Sequence, residues 1–164
     1  MANVEDGALD QWVGFYEQVF GFTEMQHFTE DQIGTEYSAL RSTVVWNGDS
    51  VVFPINEPAA GRGKSQIEEY LDYYGTPGVQ HVAMTTDDIV ASVRALRARG
   101  VRFMDVPATY YDEARERLAG IDLPWAKLAE LHILVDRYPH GHLLQIFTEP
   151  VGDRPTVFFE VIQR

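Results

Sequence analysis

Two amphipathic helical patterns in matching settings constrain this chain more than any other feature of it. Leu9, Trp12, Val13, Tyr16, Val19 and Phe20 fall on one helical face that ends at Gly21. Thr86-Asp87-Asp88 offers cap residues for a second face, Ile89, Val90, Val93 and Leu96, that ends at Gly100, 79 positions after Gly21. A short strand-like piece precedes each helix, the stub around Val4 and then Val79 to Met84. Three β-rich runs follow the first helix, Phe22 to Phe28, Tyr37 to Trp46 and Val51 to Ile55. Three follow the second, Ile133 to Asp136, His142 to Phe147 and Thr156 to Ile162. A further strand is expected around Val101 to Met104, which leaves the second module's strand count open by one. The segment Pro107 to Leu131, 25 residues of mostly helical polar sequence, has no counterpart in the first half. Counting it in, Glu160 falls on Asn56, 104 positions earlier, and both lie in the last strand of their module. The register of the repeat agrees at both ends. Ser65 to Tyr74 reads as a linking helix followed by the turn Gly75-Thr76-Pro77-Gly78. The expected organisation is a single domain over 1–164 made of two modules, about 1–60 and 78–164.

Composition removes several classes of function. The 164 residues are 45% hydrophobic and 23% charged, ordinary for one folded domain. A formal charge of −12 repels phosphate backbones and anionic headgroups, so neither nucleic acid nor a membrane is an expected partner. Without cysteine there is no thiolate chemistry, and any metal must sit on His, carboxylate or other oxygen donors. No apolar run reaches the roughly eighteen residues of a membrane span, and the start MANVEDGALD lacks a basic and an apolar leader region. A cytoplasmic location is expected.

Strand parity sorts the candidate chemical groups. His81 shares a face with Val79 and Ala83, and Glu160 with Phe158 and Ile162. Both faces of the last strand are apolar, and burying an ionised carboxylate costs several kcal/mol unless a positive group or a hydrogen-bond set offsets it. An edge strand with Glu160 in solvent or paired to Arg164 is the plain alternative. A lone strand histidine is more often a core residue than a ligand. Together, a His on the first strand and a Glu on the last strand of one repeat fit a non-haem iron site. Ser42 keeps step with Leu40 and Val44, Asn56 with Pro54, and Gln145 with Leu143 and Phe147. An unpaired buried amide costs roughly 1–3 kcal/mol. Solvent-facing positions, or loop capping for Asn56, are the plain alternatives. His27, His132, His140 and His142 lie beside turns or charges and read as surface groups. Gly61-Arg62-Gly63-Lys64-Ser65 lacks phosphate-loop spacing and reads as a linker, and no Gly-x-Ser-x-Gly nucleophile turn occurs.

Five motifs in series resemble one family. Gly78-Val79-Gln80-His81-Val82-Ala83, Phe53-Pro54-Ile55-Asn56-Glu57-Pro58, Lys64-Ser65-Gln66-Ile67, Leu143-Leu144-Gln145-Ile146-Phe147 and Phe158-Phe159-Glu160-Val161-Ile162-Gln163-Arg164 closely resemble the C-terminal catalytic half of the 4-hydroxyphenylpyruvate dioxygenases, in order and spacing. The resemblance implies an α+β vicinal oxygen chelate fold, paired βαβββ modules forming a half-open barrel. It implies Fe(II) held by His81 and Glu160. It implies a polar substrate network of Ser42, Asn56, Gln66, Gln80 and Gln145, in which Ser42, Asn56 and Gln145 would serve catalysis. Pro54, Phe147 and Phe158 would shape the pocket. Parity sets Gln80 opposite His81 unless the strand bulges there. The implied reaction consumes 4-hydroxyphenylpyruvate, a 2-oxo acid, and dioxygen, and yields homogentisate in tyrosine catabolism. A homo-oligomer is expected. The family's first iron-binding His, in an Asp-His pair, aligns ahead of Met1, and its glycine-rich stretch and closing helix align beyond Arg164. The N-terminal half-domain is absent as well, so the chain is expected to be truncated at both ends and weakly active or inactive alone. Two alternatives stand beside this. One is 4-hydroxymandelate synthase, which Pro54 and Asn56 disfavour because the synthase pattern is more apolar there. The other is a non-catalytic ligand-binding protein of the same fold.

Overall fold

The computed structural model describes residues 1–28, 39–59, 63–138 and 141–164. The start of the run expected from Tyr37, the loop residues Gly61 and Arg62, and His140 lie outside the described residues. Two compact units divide the chain. The first comprises Met1–His81 with Gly152–Val157, and the second Val82–Val151 with Phe158–Arg164.

In the first unit, β1 (Ala2–Asn3), α1 (Leu9–Phe20), β2 (Thr23–Phe28), β3 (Ala39–Trp46) and β4 (Val52–Ala59) follow the order strand, helix and three strands. Next come α2 (Gln66–Tyr74) and β5 (Gly78–Val79), and the sheet order is β2-β3-β4-β1-β5. The strand β1 runs parallel to β4 and antiparallel to β5, so its backbone is bonded on both sides. Leu9 and Val13 of α1 pack on Val4, Val45 and Ile55, which fills one face of the sheet. Trp12 and Tyr16 pack against the same cluster. The expected linking helix is α2. Its cap Ser65 accepts from the Glu68 amide at 3.2 Å, while the Glu68 carboxylate accepts from the Ser65 amide at 2.7 Å, a reciprocal box that starts the helix firmly.

In the second unit, β6 (His81–Thr85), α3 (Ile89–Ala98), α4 (Ala108–Arg117), α5 (Trp125–Glu130), β7 (Leu134–Tyr138), β8 (Gly141–Phe147) and β9 (Phe158–Gln163) form a sheet of order β6-β9-β8-β7 with its helices. Asp88 caps α3 by accepting from the Ala91 amide at 2.9 Å. At the other end Gly100, at φ 89°, closes the helix. The Val101 amide reaches the Leu96 carbonyl at 3.1 Å and the Gly100 amide reaches Arg97 at 2.9 Å, the paired bonds of a left-handed helix stop. The expected insertion is helical, as α4 and α5. The strand expected at Val101 to Met104 is reduced to a single bridge from Phe103 to Thr148, extended by a Met104 amide bond to the Phe147 carbonyl at 2.9 Å. Val93, Leu128, Ile133, Val135 and Ile146 form this unit's core. The architecture is mixed α+β with open sheets and no closed barrel among the described residues, the class that the resemblance implied. No helix among the described residues is long and apolar enough to cross a membrane.

Candidate functional site

In each unit the candidate residues gather on the sheet face opposite the one that packs on the core cluster. In the first unit β3 and β4 pair so that Ser42 stands opposite Asn56, Val44 opposite Pro54 and Leu40 opposite Pro58. Thr43 opposite Ile55 and Arg41 opposite Glu57 lie on the other face, toward α1. Alternation therefore places Ser42, Pro54 and Asn56 together on the face away from α1. Ser42 is 4% exposed, so it is not the solvent-facing residue its plain alternative required, and Asn56, 2% exposed, lies within β4 rather than in a loop. The Asn56 Nδ2 atom is buried and finds no hydrogen-bond partner among the described residues.

In the second unit Gln145 stands opposite Ile162 and Phe147 opposite Glu160, while Ile146 opposite Val161 faces the core. Gln145, Phe147, Phe158 and Glu160 thus share the face away from that core. The Phe147 and Phe158 rings meet edge to face at 5.9 Å. Glu160 is 8% exposed beside them, a carboxylate set in aromatic surroundings. An anion so placed is expensive unless it is bonded or bound to a cation.

His81 closes the first unit and opens β6. The strand breaks immediately before it, at the buried Gln80, between β5 and β6. Both the Gln80 amide, at 3.0 Å, and the His81 amide, at 3.5 Å, point at the same Met1 carbonyl. Two residues opposed to one is a β-bulge, which re-aims side chains and suspends alternation. Gln80 and His81 are therefore not held on opposite faces by strand parity. Gln66 begins α2 directly after its cap and is exposed.

Three residues with a role in these faces escaped the sequence. Glu57, 2% exposed, accepts from the Leu9 amide at 3.0 Å and pairs with the Arg41 Nη2 at 2.5 Å. It caps α1 from a distance, because the preceding Ala8 has no side chain that could. Gln163 does the same for α3, accepting from the Ile89 amide at 2.8 Å. Asn3 is completely buried and stands in register with Asn56. Its stub is too short for alternation to reveal it. An apolar cavity of about 130 Å³, lined by Val4, Trp12, Tyr16 and Ile55, opens on the α1 side of the first sheet and holds none of the candidate residues. Tyr70 touches the Val79 carbonyl at 3.2 Å, and burial pushes its hydroxyl pKa up to about 12.

For iron, the donor types fit and the number does not. Imidazole and carboxylate are the donors of a two-His-one-carboxylate face. Among the described residues, however, no group of three or more His, Asp or Glu side chains is placed to hold a metal ion.

Comparison with known proteins places the chain in a lineage. Over its full length the chain is 48% identical to a 4-hydroxyphenylpyruvate dioxygenase of Caenorhabditis elegans and 47% to that of Xenopus tropicalis, covering 44% and 43% of those proteins. The chain thus spans less than half the length of the curated relatives it matches. Among solved structures, a variant of 4-hydroxymandelate synthase from Streptomyces coelicolor superposes with a TM-score of 0.84 at 38% identity, over 99% of this chain and 46% of that one. A xylose isomerase-like TIM barrel/4-hydroxyphenylpyruvate dioxygenase fusion protein follows at 0.71 and 27%, over 99% of this chain and 25% of that one. Residues 2–152 match the model of one family, and the chain belongs to the Glyoxalase/Bleomycin resistance protein/Dioxygenase superfamily.

Proposed function

We propose that this chain carries the substrate-holding faces of an iron-dependent dioxygenase that converts 4-hydroxyphenylpyruvate and dioxygen to homogentisate and carbon dioxide, within tyrosine catabolism in the cytoplasm. The observation that supports it most directly is the sorting of polar groups. In the first unit the buried Ser42 and Asn56 share the sheet face away from α1, with the Asn56 Nδ2 lacking a partner among the described residues, and in the second unit Gln145 and the buried Glu160 share the face away from the core. Ser42, Asn56 and Gln145 would give hydrogen bonds to the oxygen atoms of the keto acid. Pro54, Phe147 and Phe158 would shape the space for its ring and keep water from it. His81 and Glu160 are the donors offered to Fe(II), and Gln66 and Gln80 complete the polar set. The identity to dioxygenases across the whole chain supports the same reading. A homo-oligomer is part of the proposal.

The test is calorimetric titration of the chain with 4-hydroxyphenylpyruvate, followed by an oxygen-uptake assay with Fe(II) and chromatography of the products. Saturable binding that Asn56→Leu and Gln145→Leu each weaken is expected, and any turnover should give homogentisate. Absence of binding would overturn the reading. Formation of 4-hydroxymandelate would transfer it to the synthase, whose structure this chain resembles.

A further inference from the structure

Asn3 has no structural reason for its side chain. It sits in β1, a strand bonded on both sides, with the Val4 amide tied to the Asn56 carbonyl at 2.8 Å and the Gln80 amide tied to the Met1 carbonyl at 3.0 Å. Its neighbours Ala2 and Val4 are buried, and Val4 packs with Leu9 and Val13 of α1. Alternation along β1 therefore directs Asn3 to the opposite face, in one row with Asn56 and Ser42. The residue is 0% exposed, and neither Nδ2 nor Oδ1 finds a partner among the described residues. Each buried amide end left unbonded costs roughly 1–3 kcal/mol, so two ends on one side chain amount to a standing penalty that a leucine, of the same branched shape though larger, would remove. Two asparagines side by side could satisfy each other. Here the Asn3 amide does not, and the Asn56 Nδ2 is likewise without a partner.

Adjacent strands lie about 4.8 Å apart, so the two amide groups start from neighbouring positions and can converge on one acceptor oxygen at about 2.9 Å each. Neutral donors of this kind hold a carboxylate or carbonyl oxygen without placing an opposite charge in a dry wall. Arg41, the nearest cation in β3, belongs to the other face and is engaged by Glu57. The free Oδ1 of Asn3 can accept from a hydroxyl in addition. We infer that Asn3 is a further substrate-binding residue, which together with Asn56 donates to an oxygen atom of the bound organic acid. The inference rests on the function proposed above and extends it to a residue outside the set recognised by resemblance.

The experiment uses the whole chain labelled with [15N]asparagine and 4-hydroxyphenylpyruvate as the probe. Side-chain amide signals of Asn3 and Asn56 should shift together along one saturation curve. Asn3→Leu should melt at the same temperature as the parent or higher, because it removes the unbonded amide, while binding the probe about tenfold more weakly. Asn3→Ala serves where leucine disturbs the fold, with the same expected loss of binding. If the parent binds but the Asn3 signal stays still and both variants bind as the parent does, the assignment of Asn3 fails while the functional reading stands. A lowered melting temperature with unchanged binding makes Asn3 structural and also overturns the assignment. If the parent does not bind the probe, both fall together.

Discussion

At Gly78 a single added carbon would stand 2.6 Å from the Tyr74 ring and 2.7 Å from the Tyr70 hydroxyl. Those rings stack on each other at 5.1 Å, so neither can give way cheaply. Gly78→Ala should therefore destabilise the chain by roughly 1–3 kcal/mol, the ordinary cost of overpacking, and denaturant unfolding measures it. The tyrosines carry a second expectation. Burial pushes both Tyr70 and Tyr111 up to about 12, against 10.0 for a free tyrosine. A hydroxyl that ionises later in the folded state gives a contribution that is complete below about pH 10 and is lost as the pH climbs toward 12. Alkaline unfolding should consequently set in above pH 10, with these two phenols the last to ionise in an ultraviolet titration. Tyr70→Phe should move the onset upward.

A helix is usually started by its own sequence, and the two long amphipathic helices differ here. Asp88 caps α3 locally, and the sequence displays it. Ala8 does nothing for α1, and Glu57, 48 positions away from Leu9, supplies the bond. Glu57→Ala should cost roughly 1.5–3 kcal/mol, the range for hydrogen bonds to a charged group, with hydrogen exchange fastest in the first turn of α1. The contrast explains what was legible. Helical faces, glycine stops, the Ser65 box and the row formed by Ser42 and Asn56 depend on spacing within one segment or on strand alternation, so they could be read from the chain. Glu57 and Gln163 act across the fold, and their role exists only once β4 meets α1 and β9 meets α3. The strand expected after α3 shrank to a bridge because its residues leave after Phe103 for the helical insertion. Asn3 was hidden by a two-residue strand, too short for any period to show. Gln66 and Gln80 entered through resemblance alone, since neither alternation nor composition singles them out.

For the molecule as a whole, the proposed metal site gives the decisive test. Loss of a partner that merely orients a ligand costs about 10–100-fold in affinity, and loss of a ligand should cost at least that. Cobalt(II) followed by its visible absorption should bind the chain weakly, and His81→Ala and Glu160→Gln should each lower that affinity by about tenfold or more. A net charge of −12 gathers divalent ions nonspecifically, so the titration belongs at physiological salt, where such screening removes them. Cobalt binding indifferent to both substitutions would remove His81 and Glu160 from the metal. The break in the strand before His81 bears on how such a protein can change over generations. Because two amides share the Met1 carbonyl, the side chains beyond that point are out of phase with those before it. Point substitution alters what a residue is but leaves this phase untouched. Gain or loss of one residue at Gln80 would turn over the whole run from His81 to Thr85 in a single event. A change in length at this point would thus exchange one set of side chains for another on each face, while every neighbouring residue keeps its identity.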